Sequence, residues 1–171
     1  TGVQFCQATV TGIDITENRV HLAEQPAQQF DKLVLALGGQ TPIPGIPGIK
    51  EHAIPFATVQ DAYRLLARLR QLEQSEREFI RVAIVGGGYS GVELACKLSD
   101  RLGERGRLRI IEQADDILMR SPDFNQKTAK AALEEREVWL DLETSVEGIT
   151  AETLTLRHQD EGDEIPVDMV L

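Results

Sequence analysis

The stretch Gly86-Gly87-Gly88-Tyr89-Ser90-Gly91 has the residue types and spacing to hold a phosphorylated ligand. An apolar, largely β-branched run, Val82-Ala83-Ile84-Val85, enters it, and an apolar pattern of helical period leaves it. The order is strand, tight turn, helix. Each glycine of the Gly-x-Gly-x-x-Gly spacing then has its own task. Gly86 lets the chain turn, Gly88 lets main chain approach a diphosphate, and Gly91 lets the helix pack on the strand. The unpaired N–H groups and the positive end of the helix dipole face the phosphates. A second apolar strand, Leu108-Arg109-Ile110-Ile111, ends in Glu112. An acid at that place accepts hydrogen bonds from a ribose 2′-hydroxyl. Together these residues are read as a dinucleotide site.

Other side chains offer less. Cys6 and Cys96 are isolated and make no Cys-x-x-Cys pair, and Cys96 is read as a small buried thiol on the helix after the glycines. His21, His52 and His158 are scattered, without a nucleophile or carboxylate partner nearby in sequence, so neither a catalytic triad nor a metal site is expected. Glu93 is read as an acid in the first turn of the helix, where the dipole favours it, although an anionic diphosphate at the same end opposes it.

The elements that must position these residues form two similar segments. Val-x-Gly-Ile recurs at Val10–Ile13 and Val146–Ile149, each time opening a short antiparallel meander. A buried strand led by an acid follows at matching distance, with Asp31 in the first segment and Asp168 in the second. Between the segments, the glycines and prolines of residues 38–48 bar regular structure. A helix is predicted at about 59–74, with Thr58 and Asp61 at capping-box spacing and Ala62, Leu65, Leu66, Leu69 and Leu72 as its apolar stripe. Another is predicted after Ser121, with Ser121 as cap and Pro122 at the first helical position, running to about Arg136. A short strand, Val138–Leu140, should follow. Alternating strands and helices imply an α/β fold with a parallel sheet and the meander as an added layer. The boundaries read as 1–40, a remnant of one domain; 41–57, a Pro/Gly-rich connector; and 58–171, a Rossmann-like domain ending within its last strand. The first segment has no glycine-rich strand before it, so the chain reads as a piece of a longer protein.

Bulk properties exclude several classes. The 171 residues are 42% hydrophobic, enough for a packed core, and carry a net charge of −10. That charge disfavours nucleic acid, whose phosphates call for a basic face, and disfavours docking on anionic lipid by charge alone. No apolar run approaches the roughly 18 residues of a transmembrane segment, and no secretory signal is read. The expected location is cytoplasmic.

The order Phe-Asp-Lys-Leu-Val-Leu-Ala-Leu-Gly-Gly, Pro-Gly-Ile-Pro-Gly, Val-Gly-Gly-Gly-x-x-Gly-Val-Glu-Leu-Ala, Ile-Ile-Glu and Val-Asp-Met-Val-Leu resembles the flavoprotein reductases with two dinucleotide domains. In these, an FAD domain is interrupted by an inserted NAD(P) domain of similar fold. The Gly-Val-Glu-Leu-Ala wording and the segment from Glu112 to Leu118 look most like type II NADH dehydrogenases, which are NADH:quinone oxidoreductases. The resemblance implies that Gly86, Gly87, Gly88, Tyr89, Ser90 and Gly91 form the NADH diphosphate loop. It implies that Glu112 holds the adenosine ribose and, with Gln113 beside it, favours NADH by repelling a 2′-phosphate. It places Val146 where main chain contacts the adenine, and Gly38 and Gly39 at the turn bordering FAD. There Leu37 replaces the family's usual threonine. Glu93 becomes the catalytic candidate, an acid pointing toward nicotinamide and flavin. The FAD diphosphate loop is expected before Thr1, and a Gly-Asp segment and the quinone site after Leu171. The resemblance also implies a parent protein peripheral on the cytoplasmic face of a membrane. The chain alone should therefore bind NADH without turnover. Strands near residues 7–37 would expose edges, so a homodimer or swapped arrangement is expected. A ferredoxin, rubredoxin or disulfide reductase, or a non-catalytic nucleotide-binding module, remains as an alternative.

Overall fold

The computed structural model describes residues 2–38 and 45–171, in two compact units, Thr1–Gly39 and Gln40–Leu171. The first unit contains β1 (Val10–Asp14), β2 (Arg19–Leu22) and β3 (Gln25–Gln29), paired antiparallel in that order. The expected strand led by Asp31 is not formed: residues 33–38 pair with nothing described. The apolar side chains of Val34 and Leu37 are 83% and 85% exposed. A buried strand needs neighbours on both edges, and the unit's described residues supply none.

The second unit has three layers. A four-stranded parallel sheet runs β10-β4-β5-β6, built from β4 (Ile80–Val85), β5 (Gly106–Ile111), β6 (Trp139–Asp141) and β10 (Met169–Val170). Pairing between β4 and β5 places Ile80 level with Gly106 and Val85 level with Ile111. Ile80, Val82, Ile84, Leu108 and Ile110 point to one face and pack under α2 (Val59–Glu73) and α3 (Tyr89–Leu102). Ala83, Ile111 and Val170 point to the other. There they meet Val146, Leu154 and Leu156 of a second meander, β7 (Thr144–Ile149), β8 (Thr153–His158) and β9 (Glu161–Pro166). A short helix, α1 (Ile49–His52), contributes Ile49 to the same core. It lies inside the segment read as connector.

The repeat inferred from sequence is present as two antiparallel three-stranded sheets. Pairing slips by one residue between Val10 and Gly12 in one and between Val146 and Gly148 in the other. Val-x-Gly-Ile is thus the sequence of a β-bulge, which bends and twists the opening strand.

Helix α2 begins as its capping box requires. Thr58 Oγ1 accepts from the Asp61 N–H, and Asp61 accepts from the Thr58 N–H. Its buried stripe is narrower than expected: Leu65, Leu69 and Leu72 are buried, whereas Ala62 is exposed and Leu66 half-buried. The Thr58 hydroxyl, and then the N–H groups of Ala57 and Thr58, hold the Asp61 carboxyl below its ordinary 3.8. A value depressed by folding means stabilisation that is complete above the ordinary value and lost as pH falls below it. Thr58→Ala is expected to cost about 1 kcal/mol at neutral pH. In urea unfolding, that difference should shrink once pH drops below 3.8.

Helix α4 (Asp123–Glu135) starts later than the sequence implied. Pro122, not Ser121, stands at its cap, and no side chain caps the helix. The Ser121 hydroxyl is engaged elsewhere. The short strand is shifted by one residue, to Trp139–Asp141.

Candidate dinucleotide site

Parallel strands deliver their C-terminal ends to one rim of the sheet, and the glycine stretch leaves β4 at that rim. Gly86 turns the chain at φ 113°, a conformation that disfavours other residues. A Cβ on Gly91 would overlap the carbonyl oxygen of Gly86, so only glycine lets α3 pack this closely on the strand it follows. Gly88 differs from both. It caps α3 with no side-chain hydrogen bond, and a Cβ there would meet nothing within 4 Å. The first turn of α3 thus has no side-chain cap, and the main chain at Gly88 borders open space. That cradle fits a diphosphate in both shape and polarity.

Glu112, half-buried, is the first residue after β5. One carboxylate oxygen accepts from the Gly87 N–H at 2.7 Å and the other from the Ala114 N–H at 2.8 Å. Two lone-pair positions remain, enough to accept from ribose hydroxyls. Glu112 therefore ties the glycine turn to the strand beside it while keeping capacity for a ligand. The segment after Glu112 completes the support. Ile117 is fully buried beneath Gly87, and the Leu118 N–H donates to the Gly87 carbonyl at 2.9 Å. Leu118 does so at φ 53°, a left-handed conformation that costs roughly 1–2 kcal/mol. The loop is held in shape at that expense.

Tyr89 opens α3 and leans away from it. Its phenol oxygen accepts from Ser121 Oγ at 2.7 Å and Asn125 Nδ2 at 3.2 Å, which holds the phenol below its ordinary value. This is where the predicted helix cap went. Ser90 is exposed beside Tyr89, and Gln113 is exposed beside Glu112. Glu93 is exposed in the second turn of α3, which has no acid in its first. Val146 lies in β7, paired with Leu156 of β8 and with its side chain buried in the core, so it can offer a ligand main chain only. The Thr144 N–H donates to the Glu112 carbonyl and brings the start of β7 to the site.

The structure thus gathers Gly86, Gly87, Gly88, Tyr89, Gly91 and Glu112 at one rim. The roles of Ala114, Leu118, Ser121 and Asn125 escaped the sequence, because each acts through fold-dependent hydrogen bonds with no spacing signature. The first unit offers no comparable strand-to-helix corner among its described residues. Gly38 stands there at φ 74°, and Gly39 lies outside the described residues. The described residues of that unit do not by themselves fit an FAD diphosphate.

Residues 1–171 match the family model described as pyridine nucleotide-disulphide oxidoreductase. The chain belongs to this family. It is 53% identical to the demethylphylloquinone reductase NdbB of Synechocystis sp.. That match covers 99% of this chain and 43% of the relative. It is 36% identical to the alternative NAD(P)H-ubiquinone oxidoreductase C1 of Arabidopsis thaliana, over 87% of this chain and 32% of the relative. Among solved structures, NDH2 of Plasmodium falciparum in complex with NADH matches at a TM-score of 0.71 and 16% identity. That match covers 96% of this chain and 39% of the other, and it shows a shared fold. The chain spans less than half the length of these proteins.

Proposed function

We propose that this chain is the NADH-binding portion of a flavin-dependent NADH:quinone oxidoreductase. One observation carries the reading: an uncapped helix tip and an open Gly88 stand beside a carboxylate already anchored on the same turn. The amides at the start of α3 bind the diphosphate, and Glu112 orients the adenosine ribose and disfavours a 2′-phosphate by charge. The exposed Glu93 carboxylate, one turn along the helix, orients the nicotinamide end. Bound FAD would supply a hydride acceptor and a route for electrons to a quinone. The names of the relatives, a demethylphylloquinone reductase and an NAD(P)H-ubiquinone oxidoreductase, support quinone as the acceptor class. No helix among the described residues is long and apolar enough to cross a membrane.

Titration calorimetry of the chain with NADH tests this reading. One saturable site is expected, with no flavin absorbance and no NADH oxidation by the chain alone. Absence of binding would overturn the site, and yellow, active protein would overturn the assignment as an NADH-binding part. The exposed apolar side chains of residues 33–37 lead us to expect self-association at high concentration. Sedimentation velocity showing only monomer across the concentration range would count against it.

A further inference from the structure

The same strands carry a second group of side chains at their opposite, N-terminal ends. Arg81 is level with Arg107, Ala83 with Arg109, and Arg109 with Trp139. All therefore lie on the face that carries the meander. The meander seals only the upper part of that face, over Ala83, Ile111 and Val170. Below it, the three arginines and Trp139 border a hollow of about 200 Å³ closed on another side by Ile165 and Pro166 of β9.

Its charge is under-compensated. Arg107 makes no ion pair among the described residues; it lies 4.0 Å over the Phe79 ring and donates to the carbonyls of Glu104 and Gly106. Arg81 comes only within 3.9 Å of Asp168, a carboxylate already taken by Arg77 at 2.8 Å and by the Arg81 N–H. Arg109 is shared between Asp141, at 3.4 Å, and the Trp139 ring, at 5.3 Å. Trp139 remains 59% exposed. In a chain of net charge −10, positive charge is thus concentrated on one apolar hollow.

We propose that this hollow is a binding site for a small aromatic carboxylate, distinct from the dinucleotide rim. The guanidinium fork pairs with a carboxylate in two parallel hydrogen bonds. A flat ring stacks against the indole and the guanidinium planes. Size agrees: an apolar cavity of about 150 Å³ accepts a benzene ring. A bare inorganic anion would leave the apolar wall unused, and a neutral ring would leave Arg107 without a counter-charge and Arg81 with a shared one.

Trp139 is the only tryptophan in the chain, so its emission reports on this hollow and nowhere else. Titrating the full chain with benzoate should change that emission saturably, with benzyl alcohol weaker by about tenfold or more. Arg81→Gln with Arg107→Gln should raise the half-saturating benzoate concentration by about tenfold, or about 1.4 kcal/mol. Calorimetric NADH binding, measured on the same samples, should stay unchanged and so certify the fold. No saturable change, equal response to benzyl alcohol, displacement of benzoate by equimolar inorganic phosphate, or indifference to the double substitution would each overturn the proposal.

Discussion

Gly91→Ala is expected to lower the stability of the second unit by about 3 kcal/mol, the upper end for overpacking a close contact, and to abolish measurable NADH binding. Gly88→Ala is expected to weaken NADH binding by more than about tenfold with stability almost intact. The contrast follows from what each added methyl meets. At Gly91 it overlaps the Gly86 carbonyl oxygen and approaches Ile84 Cγ2 at 3.4 Å. The colliding atom is main chain, fixed because the Gly86 N–H donates to the Ile111 carbonyl. It cannot rotate away as a side chain would, so α3 must lift from β4. A loss of that size lowers the thermal midpoint by roughly 10 °C in a domain of this size. At Gly88 the methyl enters empty space, at a φ of −75° that alanine adopts freely. The space it fills is what the main chain offers a diphosphate, so NADH affinity should fall by more than about tenfold. Differential scanning calorimetry and NADH titration on both variants separate the two effects. Equal binding by Gly88→Ala and the unaltered chain would show that the phosphates lie elsewhere.

The glycine corner was legible because its demands are local. Turn and packing fall on Gly86 and Gly91, one by its positive φ and the other by its contact with main chain, and neither place admits a larger residue. The meanders were legible as a repeat for a similar reason, since Val-x-Gly-Ile encodes a bulge wherever it opens such a sheet. The strands led by acids show where local pattern stops deciding. Val167–Leu171 and Asp31–Leu37 carry the same apolar wording, yet Met169 and Val170 pair with β4 while residues 33–38 pair with nothing described. The difference is the presence of a neighbouring strand, which lies outside either segment. Ser121 makes the same point at smaller scale. Its position before Pro122 reads as a helix cap, but a phenol from across the turn takes its hydroxyl. The arginine hollow was illegible because it needs the register of three strands and the edge of the meander to exist.

Glu112 couples the two kinds of information, which makes its substitution the sharper test of specificity. Its place at the end of β5 was read as a ribose contact, whereas its hydrogen bonds to Gly87 and Ala114 were not. Glu112→Ala removes the acceptor of a buried N–H at Gly87, with an expected cost of about 1–3 kcal/mol in stability. NADH affinity should fall by about 10- to 100-fold as the ribose loses a charged acceptor. NADPH should lose far less, because the carboxylate that repels its 2′-phosphate is gone as well. Glu112→Arg should carry preference further toward NADPH at the same structural cost, since a guanidinium cannot accept from the Gly87 N–H. Glu112→Gln separates the roles: it keeps one oxygen for the loop and abolishes the charge. Stability should then recover only in part, because the amide nitrogen cannot accept from the second N–H, that of Ala114, while discrimination between the two dinucleotides stays weakened. If titrations with NADH and NADPH gave the same affinity ratio in all three variants as in the unaltered chain, Glu112 would be a brace for the glycine turn and nothing more.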